Sequence, residues 1–391
     1  MIITPLLKLA VERQASDLLF SVGAPINIKI DGTSKPINDQ PLDSESAQRI
    51  AYEMMSPDQI AQFEREMEMN FSFRVPEVGS FRVNVFRQRG DVSMVIRYVR
   101  GKVLKVEELN LPVVLKNLVM EKRGLILVVG ATSSGKSTTL AAMLEHRNSM
   151  STGHILTIED PIEYIFKHNK SIVNQREIGT DTVSYESALI SAMREAPDVV
   201  MVGEIRDRET LKQALITAQT GHLCLSTLHA NNSYHALNRI INFFPYDARP
   251  SILSDLSLSM RAVISQRLVR NVQGRLMPAV EILINSSLIA DQIKNGEIEK
   301  IRDAIEQSVS PGSQTFEQAL YQLYKKGQIS KEEALRNADS ASNLSAMIDY
   351  SETRKMKAYD PNDPANQTPI ARPQSADFGA IKLDIDVNHS R

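Results

Sequence analysis

A chain of 391 residues with 42% hydrophobic and 24% charged residues is large enough for two or three globular domains with cores of their own. The net charge of -2 gives nucleic acid no electrostatic claim as the main partner. The single cysteine, Cys224, excludes an intrachain disulfide and a Cys-rich zinc site. It lies in the apolar run Leu223–Leu225 and reads as a small buried hydrophobe. No apolar run approaches the ~20 residues that span a bilayer, and Met1–Lys8 lacks the basic start and apolar stretch of a signal peptide. These features predict a cytoplasmic protein, one that can still dock peripherally on a membrane machine.

Residues 1–100 predict a small α/β domain. Ile26, Ile28 and Ile30 alternate with polar residues and end at the turn pair Asp31–Gly32, the pattern of a strand. Ser44 to Glu66 has helical spacing, with Ala47, Ile50, Ala51, Met54 and Met55 on one side. Three strand-like runs follow, Phe71–Arg74, Ser80–Phe86 and Val92–Tyr98. Residues 101–123 predict a linker and a first helix, Leu111 to Met120. From 124 to 285, short apolar runs (Leu125–Val129, His154–Ile158, Val199–Val202, Leu223–Thr227) alternate with helical stretches, which predicts a mostly parallel sheet covered on both faces. The basic cluster Arg267–Arg270 reads as a solvated face or a phosphate contact. Residues 286–350 predict helices only, including Phe316–Lys326 and Lys331–Asn337. The segment 351–391 is polar and proline-rich and predicts a disordered tail, although Phe378–Val387 alternates like a strand.

The most informative segment is Gly130, Ala131, Thr132, Ser133, Ser134, Gly135, Lys136 and Ser137, followed by Thr138. It fits the phosphate-binding loop pattern, with a buried strand before it and helix formers after it. Unpaired backbone N–H groups at the start of a helix make an anion seat. Lys136 would reach the β- and γ-phosphates, and the Ser137 hydroxyl would sit on Mg²⁺. Asp198–Glu204 reads as a second buried strand ending in a carboxylate able to serve Mg²⁺, although Gly203–Glu204 stands where an aspartate is usual. His154–Glu163 ends a third strand with Glu159, Asp160 and Glu163 close together, at the strand end where open α/β sheets bind ligands. Glu163 and Glu204 are the candidates to orient an attacking water. His222 and His229 flank a fourth strand and are candidates to sense the γ-phosphate; zinc is excluded because no further ligands stand at suitable spacing.

These four motifs, in this order, resemble the type II/IV secretion ATPase superfamily, and within it the type IV pilus retraction ATPases of the PilT/PilU family, most closely the PilU branch. The likeness spans about residues 1–350 and includes Ala15–Leu18, Phe81–Asn84 and Asn174–Glu177. It implies an α/β chain with a PAS-like N-terminal domain and a RecA-like P-loop ATPase domain, followed by a late helical region. It also implies a ring-shaped homo-hexamer that hydrolyses ATP with Mg²⁺ and passes force to the inner-membrane platform protein of the pilus. By the same resemblance Glu163 is the catalytic carboxylate and Glu204 supports Mg²⁺ and water. Arg82 and Arg97 match arginines that reach the phosphates from the N-terminal domain, with Arg194 and Arg206 as weaker candidates.

Two departures from the PilT pattern bear on function. The segment Ser287–Glu297 lacks both arginines of a helix motif tied to retraction, and the chain continues past the usual end. Both features fit the PilU branch and a motor that works beside a second retraction ATPase of the PilT type. An extension ATPase would generally carry a four-cysteine zinc element, which one cysteine cannot build. The chain could also be a nucleotide-binding adaptor ring or a DNA-translocating motor. Intact Lys136, Ser137, Glu163 and Glu204 count against the adaptor, and the near-neutral charge against the translocator.

Overall fold

The computed structural model describes residues 2–30, 32–99, 103–308 and 310–358. The first sheet is antiparallel throughout. It contains β1 (Asp17–Phe20), β2 (Pro25–Ile30), β3 (Thr33–Pro41), β4 (Glu68–Val75), β5 (Gly79–Gln88) and β6 (Asp91–Val99), in the order β3-β2-β1-β6-β5-β4. Helices Thr4–Glu12, Ser44–Glu53 and Pro57–Glu66 belong to the same unit, and Leu7, Phe20, Phe63, Phe81 and Met94 are fully buried in its core. The single helix expected over Ser44–Glu66 is broken in two. Ser56 caps the second helix through a reciprocal bond with Gln59, and Pro57 stands in its first turn, where it needs no donor. Strand β3 has no sequence signal, because it is polar and carries Pro36 and Pro41. It lies at a sheet edge, where missing N–H groups are tolerated.

The helix expected over Leu111–Met120 is shorter, Val114–Val119. The second sheet contains β7 (Gly124–Val129), β8 (Gly153–Glu159), β9 (Ser171–Glu177), β10 (Val199–Val202), β11 (Leu223–Leu228), β12 (Met260–Arg270) and β13 (Leu276–Ile284). Its order is β13-β12-β7-β11-β10-β8-β9, parallel from β9 to β12 and antiparallel only between β12 and β13. Every residue of β7, β10 and β11 is buried. Leu125, Leu127 and Val129 pack into one core, Ile126 and Val128 into the core on the other face. At roughly 2 kcal/mol of transfer free energy per buried aliphatic side chain, β7 is a firm mount for the loop that follows it. Cys224 is fully buried, as expected.

Beyond β13 the described chain is helical: Ser287–Lys294, Ile301–Glu306, Phe316–Lys325, Lys331–Asn337 and Ala341–Ala358. The last helix runs through residues 351–358, which the sequence placed in the tail; no Pro or Gly interrupts it before Pro361. The rest of that tail, with its strand-like Phe378–Val387, lies outside the described residues. Arg267 is neither a solvated cation nor a phosphate contact. From β12 its guanidinium lies 3.9 Å from the Phe316 ring centre, pairs with Asp339 and donates to the Asn337 carbonyl at 2.6 Å. It also donates to the Asn231 carbonyl at 3.3 Å, so one side chain joins the sheet to the terminal helices.

Removing this clamp should loosen one region and spare another. Arg267→Ala is expected to cost about 2 kcal/mol, since it leaves the half-buried Asp339 without its cation. Hydrogen exchange should speed up over residues 316–348 while β7 and β11 stay protected. Uniform protection in the variant would refute the clamp.

Candidate functional site

The sheet brings its chemistry to one edge. The carboxyl ends of β7, β8, β10 and β11 lie together, and they deliver the loop 130–137, Glu159, Glu204 and His229 to one cleft of about 270 Å³. Arg82 of β5 faces the same cleft, so both sheets contribute to its walls. The loop itself is tightly determined. Gly135 has φ 89°, and a Cβ there would stand 2.7 Å from the Gln266 amide nitrogen. A Cβ on Gly130 would meet the Ser134 hydroxyl at 2.3 Å and the Gln266 carbonyl at 2.6 Å. Only glycine fits either place. The Ser134 hydroxyl is buried without a partner among the described residues, a polar atom suited to an anion seated in the loop.

Lys136 is buried, and its ammonium donates to the carbonyls of Gly130 at 3.0 Å and Ala131 at 2.9 Å. Burial lowers its pKa, while Glu204 and then Glu163 oppose that shift. His229 stands between Lys136 and Glu204, with Nδ1 3.5 Å from the ammonium and Nε2 3.2 Å from a Glu204 oxygen. An ammonium only donates and a carboxylate only accepts. A neutral ring with its proton on Nε2 therefore satisfies both neighbours. Desolvation, and then the Lys136 charge, push the His229 pKa down in the same sense. The other Glu204 oxygen accepts from Arg206 at 2.9 Å, and Arg206 also reaches Asp160 at 3.5 Å. Gly203 precedes Glu204 because a Cβ there would lie 2.9 Å from the Tyr185 hydroxyl.

Ser137, Thr132 and Ser133 line the cleft, and the Thr138 hydroxyl meets that of Tyr164 at 2.8 Å. Among the described residues no group of three or more His, Cys, Asp or Glu could hold a metal alone. The oxygen donors of Ser137 and Glu204 fit a hard cation that is shared with phosphates and not caged by protein. Glu163 faces both this cleft and an adjoining cavity of about 230 Å³ that it shares with Arg82 and Arg97. Arg97 is also tied to Asp17 at 2.8 Å.

Two expectations are corrected. His222 lies at the opposite end of β11 from His229, where its carbonyl accepts from Gly124 at 3.0 Å and its ring sits 3.3 Å from the Thr217 carbonyl. A strand of this length cannot bring both of its ends to one ligand. Arg194 is exposed and outside the cleft, whereas Arg206 is inside it.

Comparison with known proteins agrees with this geometry. The profile of the family described as type II/IV secretion system protein matches residues 1–330. The type IV pilus ATPase PilU of Pseudomonas aeruginosa is 48% identical over 88% of this chain and 90% of its own. The retraction ATPase PilT of the same organism is 42% identical over 88% of this chain and 99% of its own. A crystal structure of the pilus retraction motor PilT with bound ADP superposes with a TM-score of 0.81, at 42% identity over 87% of this chain and 98% of that one. The chain belongs to the type II/IV secretion ATPase family, in its PilT/PilU group.

Sequence reasoning missed some residues that shape this PilT/PilU-type site. Gln266 accepts from Thr139 at 2.6 Å and donates to the Ser134 carbonyl at 2.8 Å, which locks the back of the loop to β12. The signal was present, since Ser265 and Gln266 are polar residues inside a β-branched run and both are buried. Glu159 was legible only as one of three clustered carboxylates, not as a buried one. It is buried, and it accepts from the Thr157 hydroxyl at 2.7 Å and the Glu163 N–H at 3.2 Å. Desolvation outweighs these bonds and pushes its pKa up to about 7.

A carboxyl whose pKa is raised by folding binds its proton more tightly in the folded state. The penalty for ionising Glu159 is therefore absent at low pH, grows as pH rises from the unfolded value of 4.5 towards about 7, and is constant above that. Glu159→Gln removes the ionisation. Its stability relative to wild type should rise by about 2 kcal/mol between pH 5 and pH 8. Thermal unfolding of both proteins at the two pH values tests this; a difference independent of pH would contradict the assignment.

Proposed function

We propose that the chain is an ATP-hydrolysing motor of the type IV pilus machine, coupling turnover to pilus retraction as an accessory, PilU-like ATPase. The single observation that carries the chemistry is the Lys136–His229–Glu204 relay beside the loop 130–137, faced across the cleft by Arg82. The relatives' identity as pilus ATPases carries the cellular role. In this reading the loop's N–H groups and Lys136 would hold the phosphates, and Ser137 and Glu204 would hold a magnesium ion, which would supply charge neutralisation at the phosphates. Arg82 and Arg97 approach from the first sheet, where a cation near the γ-phosphate stabilises the transition state. Glu163 orients the attacking water. His229 stands where the change in charge on hydrolysis is felt by Lys136 and Glu204 together.

The division into residues 1–100, 101–123, 124–285 and 286–350 belongs to this proposal, as does a homo-hexameric ring in which the cleft opens and closes. So do a cytoplasmic place at the inner-membrane base of the pilus, contact with the platform protein, and work beside a second, PilT-type ATPase. Among the described residues no helix is long and apolar enough to cross a membrane. The helix Ser287–Lys294, without the two arginines of the retraction motif, supports an accessory role.

Lys136→Ala is expected to lower ATP turnover by at least ~100-fold, because it removes the cation that offsets phosphate charge. Near wild-type turnover would refute the site. In cells with labelled pili, the same substitution should leave pilus number near normal and weaken retraction under load. Loss of pili would point to extension instead.

A further inference from the structure

The motif Asn174–Glu177 stands apart from the loop 130–137, and its placement gives it a role of its own. It occupies β9, where side chains alternate between faces. Arg176 turns to one side and pairs with Glu195 at 2.9 Å. Gln175 and Glu177, two residues apart, both turn toward the segment 160–166. The Gln175 amide nitrogen donates to the Tyr164 carbonyl at 2.8 Å and to Glu159 at 3.3 Å, while its oxygen accepts from the Phe166 N–H at 2.9 Å. Glu177, which is buried, accepts from the Ile162 N–H at 3.0 Å.

These bonds matter because the segment has little else to hold it. Residues 160–166 form no helix or strand, and among the described residues they make no backbone-to-backbone hydrogen bond outside regular elements. Their N–H groups at 162, 163 and 166 go to the side chains of Glu177, Glu159 and Gln175. Glu163 sits in the middle of the segment and faces the cleft. Its position is thus set by side chains, Glu159 at the end of β8 and Gln175 and Glu177 on β9, not by the sheet's own ladder.

We infer that Gln175 and Glu177 are positioning residues for ATP hydrolysis, which act by fixing the backbone that carries Glu163. The inference rests on the proposed role of Glu163. Neither residue is among the cleft-lining groups around Lys136, so nucleotide binding should be spared while the chemical step suffers. A misplacement of about 1 Å in a catalytic group costs up to ~100-fold in rate.

The test is steady-state turnover and the Kd of a fluorescent ATP analogue on the full-length protein. Gln175→Leu is expected to lower kcat between ~10- and ~100-fold with Kd within about twofold. The Glu163→Gln/Gln175→Leu double variant should be no slower than Glu163→Gln alone. Glu177→Gln keeps an acceptor for the Ile162 N–H and should retain most of the rate that Glu177→Leu loses. Should Gln175→Leu not fold, Gln175→Glu decides the matter: it keeps the bond from Phe166, loses the two donated bonds, and must lower kcat without raising Kd. Unchanged kcat, a loss that appears in Kd, or a full multiplicative loss in the double variant would each overturn the inference. Wild-type turnover in Glu163→Gln would instead sink the role of Glu163, and that single variant separates the two failures.

Discussion

Two-sided burial of the second sheet is the constraint from which the site follows. In β7, β10 and β11 every residue is buried, so these strands have no open face on which to carry a charged function. Charged groups can enter only where the strands stop. Parallel order then places all the carboxyl ends on one edge, so the loop 130–137, Glu159, Glu204 and His229 converge although they are far apart in the chain. The cost of this arrangement falls on the groups at the boundary. Lys136 and His229 have lowered pKa values, and Glu159 a raised one, with desolvation the first cause in each case.

Where burial is greatest, structure depends on polar groups that satisfy one another. Glu281 on β13 accepts from the Ser233 N–H at 2.8 Å and from the hydroxyls of Ser233 at 2.7 Å and Ser265 at 3.0 Å. That network fixes the start of the helix Ser233–Asn242, immediately after the His229 segment. Asn232, the cap of that helix, donates to Asp339, which Arg267 also holds. The segment leaving β11 is therefore pinned to β12, β13 and the terminal helices within a few residues of His229. An imidazole that must sit between Lys136 and Glu204 gains precision from a backbone anchored so near to it.

Strands β7, β8, β10 and β11 and the phosphate-binding loop were legible because their signals are local: short apolar runs, glycine spacing, and a carboxylate at a strand's end. Parts of the fold that depend on partners were not. Strand β3 is polar and exists by pairing with β2. Strands β12 and β13 gave no turn pattern strong enough to separate them from buried helices, and β9 alternates too weakly to stand out. In the site, Lys136, Glu204 and His229 were found from their motifs, whereas His222 was grouped with His229 as a pair flanking one strand, although only the carboxyl end of that strand meets the cleft. Gln266 was missed, and Gln175 was noted within a motif but given no role, for a shared reason. Each works by its amide bonding main-chain atoms of another segment, and no spacing rule records that.

The geometry also bears on the two carboxylates, which residue types alone leave as joint candidates for orienting water and which the family resemblance divides. Both oxygens of Glu204 are engaged, one by His229 and one by Arg206, and its side chain is only 15% exposed. A carboxylate so engaged is well placed to stabilise charge and poorly placed to accept a proton. Glu163 is the reverse case: its backbone is fixed through the Glu159 bond, while its carboxylate makes no hydrogen bond among the described residues and faces the cleft. General bases need a rigid mount and a free lone pair at once. Glu163 has both, which supports the proposed assignment of Glu163 to the water and of Glu204 to a charge-stabilising role.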